Sequence, residues 1–192
     1  MTSLVPDDPS DQLSRALDAT RALVEGVRPD QWDATALPGW TVRDLVEHLV
    51  AGTRLVSARL LDRPEDEPPD DLAAAYRQAG DALLEAFAEP GVFERMVTVP
   101  AGTVPGAVAL HLRLTELLVH GWDLARATGQ PTTGLPDDVA EQELAFSRIQ
   151  IGRIPPDRSP FAPSEPVADD APAVDRLAAL LGRRPDDRPG RR

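Results

Sequence analysis

The longest helical pattern in the chain lies between Pro105 and Gly129. Proline suits the first turn of a helix, where its missing N–H has no intrahelical acceptor to lose. Gly129 followed by Gln130-Pro131 is a strong stop. A helix over 105–128 is roughly 36 Å long at ~1.5 Å per residue.

The remaining segments carry the same period. Leu13, Leu17, Leu23 and Val27 recur at helical spacing, which predicts a first helix from about Asp8 or Ser10 to Val27. Residues 32–40 form an irregular but apolar connector. Thr41 is a good N-cap, with Asp44 placing an acid in the first turn of a second helix that runs to about Asp62. Its core stripe is Leu45, Leu49, Val56 and Leu60. An acidic, proline-rich loop over 63–71 leads to a third helix at about 70–88. Residues 93–99 read as extended, and a fifth helix spans about 136–151. Residues 152–172, rich in Pro, Asp and Ser, read as irregular, followed by a short helix over 175–183 with a glycine stop. The expected class is all-α: an antiparallel four-helix bundle over 8–151, a C-terminal extension over 152–183 packing on it, and a disordered tail at 184–192.

Composition narrows the function. Aromatic residues make up 4% of the chain, so Leu, Val and Ala must fill most of the core. The chain has no cysteine, which excludes disulfides, thiolate-ligated metals and a protein thiol nucleophile. Its net charge is -12, with arginines scattered among more numerous acids. Nucleic acid and anionic membranes are therefore not expected partners. The N-terminus lacks the basic and apolar regions of a signal peptide, and no apolar run approaches the roughly 18 residues of a membrane helix. The expected compartment is the cytoplasm.

With no cysteine, any strong nitrogen-based metal site must use His48, His111 or His120. Glu116 and His120 are four residues apart on the fourth helix, so their side chains emerge one turn apart on one face. His48 comes from the second helix. Two histidines and a carboxylate leave coordination positions open, as catalytic zinc sites do, and the same set suits iron(II). Asp123, three residues after His120, is either a fourth ligand or the group that orients His120. The competing reading makes Arg113, Glu116, His120, Asp123 and Arg126 a solvated helix face with surface ion pairs. His111 is off the pattern and is expected to point elsewhere. Trp40 and Trp122 are expected in the core or at its rim. Gly52, one turn after His48, leaves room either for a ligand or for close helix approach.

Two segments also carry a resemblance. Leu37-Pro38-Gly39-Trp40-Thr41-Val42-Arg43-Asp44-Leu45-Val46-Glu47-His48-Leu49 resembles the opening of helix two in the mycothiol-dependent maleylpyruvate isomerase family, within the DinB-like bundle superfamily. Glu116-Leu117-Leu118-Val119-His120-Gly121-Trp122-Asp123-Leu124-Ala125-Arg126-Ala127-Thr128-Gly129 resembles its second signature. The tail, from Asp169 to Arg183, is similar to a short actinobacterial subgroup described as metal-binding. The resemblance implies a DinB-like bundle holding a divalent metal through His48, Glu116 and His120, with zinc first and nickel or iron as alternatives. It also implies mycothiol as co-substrate. The full isomerase has a further C-terminal domain that helps bind its substrate, whereas about 60 residues follow the fourth helix here, so maleylpyruvate itself is not the expected substrate.

The leading expectation is a thiol transferase or isomerase acting on a small electrophile, as a monomer or homodimer. The alternatives are a metal-dependent hydrolase and a non-catalytic metal or ligand-binding protein.

Overall fold

The computed structural model describes residues 5–100, 102–152 and 162–185. Four helices make the bundle: α1 (Pro9–Glu25), α2 (Val42–Leu60), α3 (Leu72–Phe87) and α4 (Gly106–Thr128). Packing closes them into a ring, with α1 against α3 and α4, and α2 against the same two helices. Two further helices, α5 (Asp137–Ile151) and α6 (Ala173–Leu180), pack against each other and against α4. Most of the expected disordered tail, 186–192, lies outside the described residues, as does 153–161 of the irregular segment. No described helix is long and apolar enough to cross a membrane.

Helix ends follow local chemistry. At α2 the Asp44 backbone N–H donates to Thr41 Oγ1 at 3.1 Å, and the Thr41 N–H donates back to the Asp44 carboxylate at 2.8 Å. This reciprocal capping box satisfies two otherwise orphaned donors. The Thr41 hydroxyl also donates to the Asp44 carboxylate, at 2.6 Å, and together with the Thr41 N–H it holds the exposed Asp44 carboxyl below its usual range. At the far end Asp62 takes a left-handed backbone with φ 50°, and the Arg63 N–H closes onto Ala58 O at 3.0 Å. This ends α2 at Leu60, the last residue of its apolar stripe and two residues before the expected end near Asp62.

The connectors contain the features that helical periodicity does not reveal. The stretch after α1 forms a 3-10 turn over Pro29–Gln31 and then a short antiparallel hairpin of β1 (Thr35–Leu37) and β2 (Trp40–Thr41). The extended segment before α4 is β3 (Met96–Val99), paired with β4 (Gly102–Pro105). Pro105 is thus the N-cap of α4 rather than a residue of its first turn. It offers no capping side chain, so backbone carbonyls serve: Gly106 N–H donates to Arg95 O and Ala107 N–H to Phe93 O, at 2.8 and 2.9 Å. A Cβ at Gly106 would lie 1.9 Å from Val92 O, so only glycine permits this approach.

The core is mostly aliphatic, as the low aromatic content requires. Leu13, Leu45, Leu49, Leu83, Leu110, Leu114, Leu117, Leu118 and Leu124 are fully buried, with Tyr76 the largest side chain among them. Each such leucine contributes about 1.5–3 kcal/mol relative to exposure. Helix α4 is buried around most of its circumference, because the bundle covers one side and α5 and α6 another.

The capping box sets where α2 begins and hence the height at which it presents His48. Thr41→Ala is expected to lower unfolding free energy by ~1 kcal/mol, measured by urea denaturation. The deficit is expected to narrow in acid. The depressed Asp44 pKa means that its capping contribution is present above the ordinary carboxylate range and is lost as pH falls through the folded value.

Candidate metal centre

Helix α2 turns Leu45 and Leu49 into the core and leaves His48 at the bundle rim, its side chain 40% exposed. Across from it, α4 projects Glu116 and His120 from successive turns. The three meet at one atom. Glu116 Oε2 lies 3.2 Å from His48 Nε2 and 3.2 Å from His120 Nε2. One donor atom from each residue lies within 4.8 Å of the others. Donors bound at about 2.1 Å to a tetrahedral ion sit about 3.4 Å apart. The donor types and the 3.2 Å spacings therefore fit one divalent ion, and in its absence the same atoms are within hydrogen-bonding reach.

Aromatic rings wall the cluster. The His48 and His120 rings meet edge to face with centroids 5.0 Å apart. Trp40, from β2, packs edge-on to His48 at 5.0 Å and stacks over His120 at 6.5 Å. Trp40 keeps 36% of its surface exposed, so it stands at the mouth of the site. Its placement depends on the hairpin, which returns the chain to the start of α2.

Two of the polar groups flanking the cluster on α4 are buried rather than on a solvated face, while Arg126 is half-buried. Arg113 and Asp123 are 8% and 2% exposed. The Arg113 guanidinium approaches Glu116 Oε2 at 3.5 Å. It occupies the space left by Gly52: a Cβ there would lie 2.6 Å from Arg113 Nη1. The missing side chain at Gly52 thus makes room for a cation from the facing helix, not for a ligand and not for close helix contact. Burial lowers the Arg113 pKa, and the Glu116 carboxylate offsets part of that effect.

Asp123 lies behind His120. Its Oδ2 is 3.0 Å from His120 Nδ1, which leaves Nε2 as the ring atom facing Glu116. Asp123 is therefore placed to orient His120. Burial disfavours charge on His120, but the carboxylates of Asp123 and Glu116 outweigh it and raise the histidine pKa. Burial likewise works against the Glu116 anion. Hydrogen bonds from His120 and His48 and the nearby Arg113 charge win, and they hold this carboxyl far below its usual range.

The third histidine joins a different network. His111 Nδ1 is 2.8 Å from Glu143 Oε1 on α5, and its ring stacks on Phe146 at 4.2 Å. Glu143 also accepts from Thr115 Oγ1 and from Gln142 Nε2, at 3.1 Å each. This fully buried carboxylate ties α4 to α5. Trp122 is equally structural: its indole N–H donates to Asp175 Oδ1 of α6 at 2.6 Å.

Two contributors were not visible in the chain's local patterns. Arg113 looks like half of a surface ion pair until the packing of α2 against α4 buries it. Arg183, whose guanidinium reaches Asp123, follows a glycine stop and carries no signal of its own.

Comparison with known proteins shows the fold and the family. A crystal structure of a mutant mycothiol-dependent maleylpyruvate isomerase superposes with a TM-score of 0.59 at 19% identity, covering 77% of this chain and 72% of that one. This likeness shows that the two proteins share a helical-bundle fold. Two uncharacterized proteins of Mycobacterium tuberculosis, MT0763 of strain CDC 1551 and Rv0738 of strain H37Rv, are each 41% identical over 180 residues. These matches cover 92% of this chain and 98% of each relative. The sequence profile of the mycothiol maleylpyruvate isomerase N-terminal domain matches residues 13–125, which is more than half of the chain and includes His48, Glu116 and His120. By this match the chain belongs to the mycothiol maleylpyruvate isomerase N-terminal domain family.

Proposed function

We propose that this protein binds one divalent metal ion, zinc in the first instance and nickel or iron(II) as alternatives, through His48 Nε2, Glu116 and His120 Nε2. On this reading it catalyses S-transfer or isomerisation of a small electrophile with mycothiol or a related low-molecular-weight thiol. The observation that carries the reading is the convergence of the three donors from two helices beside a partly exposed rim. A bound ion would favour the thiolate form of a coordinating thiol. The chain contains no cysteine, so the thiol is supplied from outside. His48 and Glu116, 40% and 34% exposed, mark the side from which a small molecule enters. Trp40 closes one flank of that opening. Beside the two histidines, the Arg113 charge also favours the anionic form of Glu116 that a carboxylate ligand needs, and Asp123 holds the His120 ring so that Nε2 points inward.

Elemental mass spectrometry on protein purified without a histidine tag tests the ligand set. The parent is expected to carry near one divalent ion per chain, and His48→Ala and His120→Ala to carry none. Thiol-dependent turnover of a model electrophile is expected to vanish in both variants. Parent protein that takes up no divalent ion, or variants that keep full turnover, would overturn the proposal.

The raised His120 pKa gives a second expectation. Metal ligation needs the neutral Nε2, so zinc affinity rises with pH as His120 loses its proton, above the ordinary histidine value of about 6.5. In metal-free protein the sign is opposite. A raised folded-state pKa stabilises the fold below the unfolded value, and that contribution is lost as pH rises through the folded one. Thermal scans between about pH 6 and 8 are expected to show the metal-free midpoint falling and the zinc-dependent increment growing.

A further inference from the structure

Among the described residues, the chain beyond the family match reaches back toward the metal centre through Arg183. Helix α6 is anchored at its start, where Ala173 N–H donates to Asp137 Oδ1 of α5 at 2.6 Å. It is anchored again where Asp175 accepts from the Trp122 indole. Its end is a Schellman motif. Gly182 N–H bonds to Ala179 O and Arg183 N–H to Ala178 O, at 3.1 and 3.0 Å, with Gly182 at φ 82°. This turn reverses the chain and aims Arg183 at α4. Its guanidinium is used on three sides. Nη1 donates to Leu181 O at 3.0 Å, Nη2 to Asp123 Oδ2 at 2.9 Å, and Nε to Asp123 Oδ1 at 3.3 Å. Close by, Arg126 Nη2 donates to Pro185 O at 2.9 Å, so two α4 residues hold the segment.

Asp123 is the link. Its carboxylate is 1% exposed, and a buried carboxylate must be hydrogen-bonded and charge-compensated. The His120 ring makes one bond to it, through Oδ2. One bond leaves the carboxylate free to rotate about its own axis, whereas the two-pronged guanidinium fixes its plane. Fixing that plane fixes the direction from which Asp123 holds His120 Nδ1, and so the direction in which Nε2 points.

We propose that Arg183 is a positioning residue for the metal centre, acting through Asp123 to lock the His120 ring. The C-terminal segment is on this basis part of the site's construction, and the minimal functional unit extends from α1 to at least Arg183. The inference rests on His120 being a metal ligand, as proposed above.

The test is zinc affinity of the full chain, measured by competition with a chromophoric chelator, for the parent, Arg183→Ala, Arg183→Lys and Arg176→Ala. Arg176 anchors the same helix, through Ala171 O and Glu141, without touching Asp123. Arg183→Ala is expected to weaken zinc binding about tenfold, the lower end for lost outer partners of a metal ligand. Arg183→Lys, which keeps the charge but not the fork, is expected to recover part of that loss. If Arg183→Ala does not fold, the lysine variant still reads the fork, by weaker binding than the parent. Arg176→Ala is expected to lower the melting temperature and leave zinc affinity unchanged. Parent-like affinity in both Arg183 variants, or an equal loss in Arg176→Ala, would overturn the positioning role while leaving the metal site standing. A parent that binds no zinc would overturn the site and this role together.

Discussion

Helix α4 has little solvent face of its own, and the rest of the structure is arranged around that constraint. A helix enclosed by α1 and α2 on one side and α5 and α6 on another must be apolar around much of its girth, and its polar side chains must find protein partners. They do so with several neighbours. His111 and Thr115 reach Glu143 of α5, Trp122 reaches Asp175 of α6, and Asp123 reaches Arg183. The polar groups of α4 thus determine which faces of the later helices can dock on it. Exchanging any of them for a misfit would leave a buried group without a partner, at a cost of roughly 1–3 kcal/mol.

One stripe of α4 concentrates this effect. Arg113, Glu116, His120 and Asp123 follow at spacings of three, four and three, and Arg183 completes a row of alternating charge: cation, anion, imidazole, anion, cation. Each interior member has a partner on both sides, so the desolvation penalty of burying these groups is offset locally. His48 joins the row from α2 at Glu116, the most accessible anion in it. The two arginines take different parts. Arg113 sits beneath Glu116 in the space left by Gly52, and Arg183 closes the opposite end from outside the bundle.

The rim above this row is built by the connector before α2 rather than by the helices. The hairpin pairs Leu37 with Trp40 and returns the chain to the capping box at Thr41, which places the Trp40 ring against both histidines. The same short stretch therefore starts α2, sets the position of His48 and supplies the wall beside it. The other tryptophan in a site-bearing segment, Trp122, serves the α6 interface instead, although the two residues are chemically alike.

What the sequence by itself determined is local. The capping box at Thr41 and Asp44, the stop at Gly129 and the stop at Gly182 are written in residues three or four apart, where backbone geometry alone decides the outcome. The pairing of Glu116 with His120 is legible for the same reason, since one helical turn brings them together. The extended stretch over 93–99 was legible, but its pairing and the hairpin before α2 escaped that reading because strands of two to four residues are too short to impose a period. The neighbour of Gly52 and the second partner of Asp123 escaped it because they come from elsewhere in the chain, Arg183 from 60 residues beyond Asp123. An apolar stripe tells a helix which side to bury but not against which neighbour, so only the tertiary packing decided that an apparent surface ion pair would become a buried cation and that an arginine after the last helix would reach Asp123.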